Sequence, residues 1–143
     1  MKREILFKGK RVDNGEWVFG GYHKHEYVSL CIASEEDRIN NTKHLIMVDG
    51  FSDWNMQKPI KGNEVHPETV CQFTGLLDKN GNKIFDGDKL ECSDIYNDKP
   101  YTTTVRFEDG GFLVDAKGCD YNITCIGFLD DEIELEIIGN IHD

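Results

Sequence analysis

Short apolar segments of strand length, each closed off by glycine, asparagine or aspartate, recur along this chain. They direct it towards paired β-strands. Residues 5–12 alternate loosely between apolar and polar types, and Asp13-Asn14-Gly15 follows with residues that tolerate positive φ. Glu16-Trp17-Val18-Phe19-Gly20 resumes the extended pattern, so residues 4–22 read as a hairpin. Residues 27–33 and 44–48 are two further apolar runs of strand length. Between them Ser34-Glu35-Glu36-Asp37-Arg38 reads as a loop or one helical turn. Asp49-Gly50 and the polar residues 52–64 form the most loop-like stretch, where a boundary is expected, with Trp54 and Met56 as candidates to pack back on the core. No segment carries a long run of helical periodicity.

The second half is punctuated more sharply. Residues 69–76 read as a strand, and Asp78-Lys79-Asn80-Gly81-Asn82 is a dense turn signal. Lys83-Ile84-Phe85 restarts extended chain, and Asp86-Gly87-Asp88 turns it into Lys89-Leu90-Glu91-Cys92. Residues 102–107 and 112–114 flank Glu108-Asp109-Gly110-Gly111 as another hairpin. Ile133, Leu135 and Ile137 alternate with Glu132, Glu134 and Glu136, which puts the apolar side chains on one strand face and the carboxylates on the other. Strands at this spacing suggest a small barrel or sandwich over residues 68–143. The expected fold class is mainly β, divided into an N-terminal β-rich lobe over residues 1–64 and a second lobe over 65–143. One continuous domain is the alternative. A chain of this length buries about 68–70% of its unfolded surface, so no disulfide or metal is needed to hold it.

Five cysteines stand at positions 31, 71, 92, 119 and 125, an odd number with no Cys-x-x-Cys pair. Neither a disulfide framework nor a zinc knuckle is indicated, and free thiols favour a reducing compartment, the cytoplasm. Cys71, in a strand beside Val70 and Phe73, reads as a small core residue. The opening Met1-Lys2-Arg3-Glu4-Ile5 is followed by no long apolar stretch, so neither a signal peptide nor a membrane span is expected. Charge is unevenly placed. Residues 1–67 hold ten basic and ten acidic side chains, whereas residues 68–143 hold six and seventeen, so the net charge of −11 lies in the second half. Such a field repels phosphate backbones and suits either a basic partner or plain solubility.

The run over residues 68–88, ETVCQFTGLLDKNGNKIFDGD, resembles the signature of the YopX family of phage and prophage proteins. The opening pattern of Phe7 with Trp17-Val18-Phe19-Gly20 and the closing Glu136-Ile137-Ile138-Gly139-Asn140-Ile141 are similar to the family's first hairpin and last strand. The match is weakest between residues 24 and 64. Asp86 stands where the family usually has glutamate, and Ile137 where it usually has valine. The resemblance implies a β-rich fold whose C-terminal part is an SH3-like small barrel, an origin in a phage or prophage, and no established activity. The motif positions are Thr69, Gln72, Thr74, Gly75, Asp78, Asn80, Gly81, Gly87 and Asp88, with Gly139 and Asn140 in the closing segment, and their implied role is structural.

The candidate chemistry has plainer readings. Oxygen ligands at Asp78, Asn80 and Asn82 resemble the start of a calcium loop, with Asp86 and Asp88 beyond. Lys83 and Lys89, however, occupy the places of the loop's glycine and bidentate glutamate, so a hairpin turn is expected. His23-x-His25 with Glu26 or His44 could hold zinc, but a solvated strand face explains the pair. No nucleophile elbow or phosphate-cradling loop is present. The carboxylates of Asp130-Asp131-Glu132, Glu134 and Glu136 read as an exposed strand face. Trp17, Phe19 and Tyr22, with Lys8, Lys10 and Arg11 nearby, could form a single-strand nucleic-acid surface, but hairpin core is the favoured reading. The expected protein is therefore no enzyme and carries no catalytic residue, cofactor or metal. It is expected to be an accessory protein working through contacts with a phage or host protein, or with itself. A weak nucleic-acid binder or regulator using the N-terminal hairpin is the alternative.

Overall fold

The structure, a computed structural model, describes residues 2–28, 31–94, 99–116, 123–129 and 131–143. The described chain is mainly β with a single α-helix. It divides into two compact units, Ile5–Cys71 and Met1–Glu4 with Gln72–Asp143.

In the first unit, β1 (Phe7–Lys10) and β2 (Trp17–Glu26) form the expected hairpin, in register from Lys10 opposite Trp17 to Phe7 opposite Gly20. Gly15 supplies the positive φ of the connection, and the Asn14 side chain accepts from the Glu16 N–H at 3.0 Å. Helix α1 (Glu35–Asn40), β3 (Thr42–Asp49) and β4 (Ile60–Glu64) follow, and the antiparallel strands run in the order β4-β3-β2-β1. Ser34 and Asp37 start α1 as a capping box: the Ser34 hydroxyl accepts from the Asp37 N–H, and the Asp37 carboxylate accepts from the Ser34 N–H. The Ser34 hydroxyl, which donates to the Asp37 carboxylate at 2.7 Å, and with it the Ser34 N–H hold the Asp37 carboxyl below its ordinary pKa.

The described residues of the 27–33 run (27, 28 and 31–33) are not the strand expected of them. β2 ends at Glu26, Tyr27 and Val28 bend away, and Ile32 is 98% exposed, while residues 29 and 30 lie outside the described residues. The Tyr27 N–H donates to the Asn41 carbonyl, and the Asn41 side chain donates to the Val28 carbonyl at 2.5 Å. These bonds turn the chain out of the ladder to make room for α1. An apolar run records hydrophobicity but not whether a partner strand is there to receive it.

Ile46, Val65 and Cys71 are the buried apolar side chains among the described residues of this unit. Gly20 lies so close to the Met47 carbonyl that a Cβ would come within 2.0 Å of its oxygen. The sheet also curls: an antiparallel bridge joins Arg11 to Val65, and the His66 N–H donates to the Lys10 carbonyl. The outer strands thereby meet at one end.

The second unit takes up β5 (Cys71–Leu77) from Gln72 onward, in a hairpin with β6 (Lys83–Phe85), then β7 (Asp88–Asp94), β8 (Tyr101–Thr104), β9 (Arg106–Glu108), β10 (Gly111–Asp115), β11 (Ile123–Cys125) and β12 (Ile133–Asn140). Two three-stranded antiparallel sheets, β11-β10-β9 and β12-β7-β8, form from them, and neither closes into a barrel among the described residues. Asp109 and Gly110, both at positive φ, make the two-residue turn between β9 and β10. The run expected as one strand over residues 102–107 is broken at buried Val105, so β8 and β9 serve different sheets. Ile84, Leu90, Cys92, Val105, Val114 and Ile126 form the core, with Ile133, Leu135 and Ile137 packed against it from β12. Burial pushes the Cys92 thiol pKa up.

Candidate functional site

The motif residues are placed at turns and strand ends, where their side chains satisfy backbone groups. The Thr69 hydroxyl donates to the His66 carbonyl at 2.7 Å and accepts from the Lys10 N–H at 2.9 Å. The Gln72 N–H donates to the Asp86 carboxylate, and the Asp86 N–H returns a bond to the Gln72 carbonyl. The Thr74 hydroxyl donates to the Ile84 carbonyl and accepts from the Leu76 N–H. That fixes the irregular stretch of β5 in which Gly75 takes a φ of +94°.

Asp78 is only 7% exposed, and its carboxylate is the centre of the following turn. One oxygen accepts from the N–H groups of Asn80 and Asn82, at 2.9 and 2.8 Å. The other accepts from the Asn82 side chain and, 59 positions along the chain, from the Ile137 N–H, both at 3.3 Å. Burial opposes ionisation of Asp78, but the bonds from Asn82, Ile137 and Asn80 outweigh it and hold the carboxyl below its ordinary pKa. Gly81, at φ +82°, completes the turn by donating to the Asp78 carbonyl. The Asp78 carboxylate that would begin a calcium loop is thus engaged by protein donors.

Gly87 and Asp88 form a second junction. Asp88 is buried, and its carboxylate accepts from the Phe85 N–H and the Asn140 side chain, each at 2.8 Å. Gly87, at φ +82°, donates to the Val105 carbonyl and accepts from the Ile141 N–H, while Val105 donates to the Asp88 carbonyl. The β6–β7 turn, the β8–β9 break and the last residues are therefore tied at one point. Beside it, a register shift in β12 between Ile137 and Gly139 leaves Ile138 exposed.

The other candidates fall as follows. The His23 and His25 rings lie 5.6 Å apart on one face of β2, whereas His44 pairs with Lys24 and so sits on the opposite face. No group of three or more His, Cys, Asp or Glu placed to hold a metal occurs among the described residues. The ammonium groups of Lys8 and Lys10 lie 4.7 and 5.3 Å from the centre of the Trp17 ring, and Arg11 pairs with Asp13. These cations are engaged with their own strand neighbours. Cys71 is buried, as expected of a small core residue, and the described cysteines are free. Glu134 and Glu136 lie on β12, and Glu136 pairs with Lys79 at 2.5 Å. Cys119 and Asp130 lie outside the described residues.

Sequence reasoning marks residues 52–64 as loop-like, but it misses that Ile60–Glu64 is the strand β4 and that the apolar side chains of this stretch stand in solvent. Phe51, Trp54, Met56 and Ile60 are 87, 93, 66 and 74% exposed. Trp54 and Met56 therefore do not pack back on the core. The loop is closed at its base by the Gly50 N–H and the Pro59 carbonyl at 2.6 Å, so its apolar side chains project beyond the last ladder bond. The available signal was the presence of four large apolar side chains in a stretch with no strand period.

No helix among the described residues is long and apolar enough to cross a membrane. The comparison with curated proteins gives no match. Among solved structures the chain is similar to the X-ray crystal structure of protein yopX from Bacillus subtilis, a structural genomics target. The identity is 18%, with 96% of this chain and 92% of that chain covered and a TM-score of 0.52, a likeness of fold. The profile of the family described as YopX protein matches residues 7–143. By that match, which takes in both units, the chain belongs to the YopX protein family.

Proposed function

We propose that this protein is a non-enzymatic interaction module of phage or prophage origin, which engages a phage or host protein, or a second copy of itself, through the β3–β4 loop. The observation that carries the reading is the exposure of Phe51, Trp54, Met56 and Ile60 within ten residues. Apolar side chains gathered in this way are costly to leave in water, and tryptophan is enriched among the residues that dominate protein interfaces. The net charge of −11 favours a protein partner over phosphate backbones or anionic lipid surfaces. The engagement of Lys8 and Lys10 with Trp17 weighs against the alternative of a nucleic-acid surface on the first hairpin. In this reading the Gln72–Asp143 part is a variant of an SH3-like barrel, and the free thiols suit the cytoplasm of a bacterial host.

The test is capture from host lysate, with and without phage induction, by wild type and by a Phe51→Ser/Trp54→Ser variant, with light scattering of both. A partner, or a self-associated mass, that wild type shows and the equally stable variant loses is expected. A wild-type chain that stays monomeric and retains nothing overturns the proposal.

A further inference from the structure

The β2–β3 face that carries Tyr22 and Lys24 buries Ile46 opposite Tyr22, but its far end, beside α1, has chemistry independent of the apolar loop. The register sets Lys24 opposite His44 and Glu26 opposite Thr42, so these four side chains share one face. Helix α1 borders that face and leaves a groove of about 490 Å³ lined by Lys24, Ala33, Arg38, Ile39, Thr42 and His44, with Glu35 at its wall. A recess of about 240 Å³ bounded by Lys24, Glu26, Arg38 and Thr42 adjoins it. The Tyr22 hydroxyl lies 2.6 Å from His44 Nδ1, and the two rings stack at an interplanar angle of 15°. With the hydroxyl donating to Nδ1, the neutral imidazole carries its proton on Nε2 as a donor.

Although Glu26 and Glu35 also border these cavities, neither comes within ion-pair distance of Lys24 or Arg38. On the neighbouring register position, Lys43 pairs with Glu64 at 2.9 Å. A fork-shaped guanidinium and a compact ammonium, neither held in an ion pair among the described residues, thus border one groove together with an oriented, uncharged imidazole. We propose that this groove binds the phosphate group of a small phosphate ester. Arg38 would supply a paired donor to two phosphate oxygens, Lys24 a point charge and His44 a single N–H. Ile39 and Ala33 offer apolar wall to the organic part, and the volume lies in the range of small-ligand sites. Tyr22 is a positioning residue, acting through His44.

The experiment is titration of the full chain with inorganic phosphate and with phenyl phosphate, read by amide and imidazole NMR shifts. Saturable shifts confined to residues around Lys24, Arg38 and His44 are expected, with phenyl phosphate binding more tightly than phosphate. Lys24→Ala and Arg38→Ala should each weaken binding by roughly tenfold or more, whereas Lys61→Ala, on β4, should leave it unchanged. Tyr22→Phe should reduce the His44 ring shift at saturation while the Arg38 response persists. Both cations are exposed, so the variants should melt with wild type. The absence of saturable shifts at this groove, or binding insensitive to Lys24→Ala and Arg38→Ala, overturns the assignment.

Discussion

Four donors converge on the carboxylate of Asp78, three from its own turn and one from Ile137. Removing that carboxylate leaves backbone N–H groups of the turn and of Ile137 without their acceptor in a poorly hydrated place. Asp78→Ala is therefore expected to lower stability by about 2–3 kcal/mol, and Asp78→Asn, which keeps one oxygen, by less. The depressed carboxyl pKa fixes the sign with pH. The folded pKa lies below the ordinary aspartate value of 3.8, so the contribution is complete above that value and is lost as pH falls through the folded one. Urea melts of wild type and Asp78→Asn should show a stability gap that narrows from about pH 5 to about pH 2. A constant gap would mean that the charge itself contributes nothing. The turn was legible in the sequence because asparagine, glycine and aspartate crowd together there. The bond to Ile137 was not, since a side-chain acceptor gives no sign of a donor 59 positions away.

At the scale of elements, period and punctuation were informative wherever a strand buries one face. β12 displays the alternation of Ile133, Leu135 and Ile137, and the β1–β2 and β9–β10 hairpins sit on their glycine turns. The same reasoning fails at Tyr27, Val28 and Ile32 and at Trp54 and Met56, where hydrophobicity does not bring burial. It also ran β8 and β9 together, since Val105 has the composition of a strand residue but bonds to the Gly87-Asp88 turn. The loop yields a direct comparison. Replacing Phe51, Trp54 and Met56 together by serine should change unfolding free energy by no more than about 0.5 kcal/mol, as at other exposed sites. Ile46→Ala, at a fully buried position of the adjoining strand, should cost about 2–5 kcal/mol. Equal losses for the two changes would show that the loop closes onto the core in solution, and would remove its apolar surface from consideration as a contact site.

The whole molecule is governed by an imbalance of charge that its packing has to withstand. Ile5–Cys71 carries eight basic and ten acidic residues, while the remainder carries eight and seventeen. Repulsion among so many carboxylates acts in the compact state and weakens when the chain expands, so it lowers stability at low ionic strength. The ion pairs that oppose it are mostly half-exposed: Lys79 with Glu136, Lys83 with Glu4 and Lys43 with Glu64 have side chains between 37 and 52% accessible. Pairs of that kind contribute about 0–1 kcal/mol each. Salt screens both effects, but many long-range repulsions should outweigh a few exposed attractions. Raising sodium chloride from about 10 mM to about 150 mM shortens the screening length from about 30 Å to about 8 Å, and the melting temperature should rise by about 3–5 °C. A melting temperature that falls over the same interval would mean that attraction within the ion pairs exceeds the summed repulsion. The acidic second half would then be a stabilising network instead of a tolerated cost of solubility or partner choice.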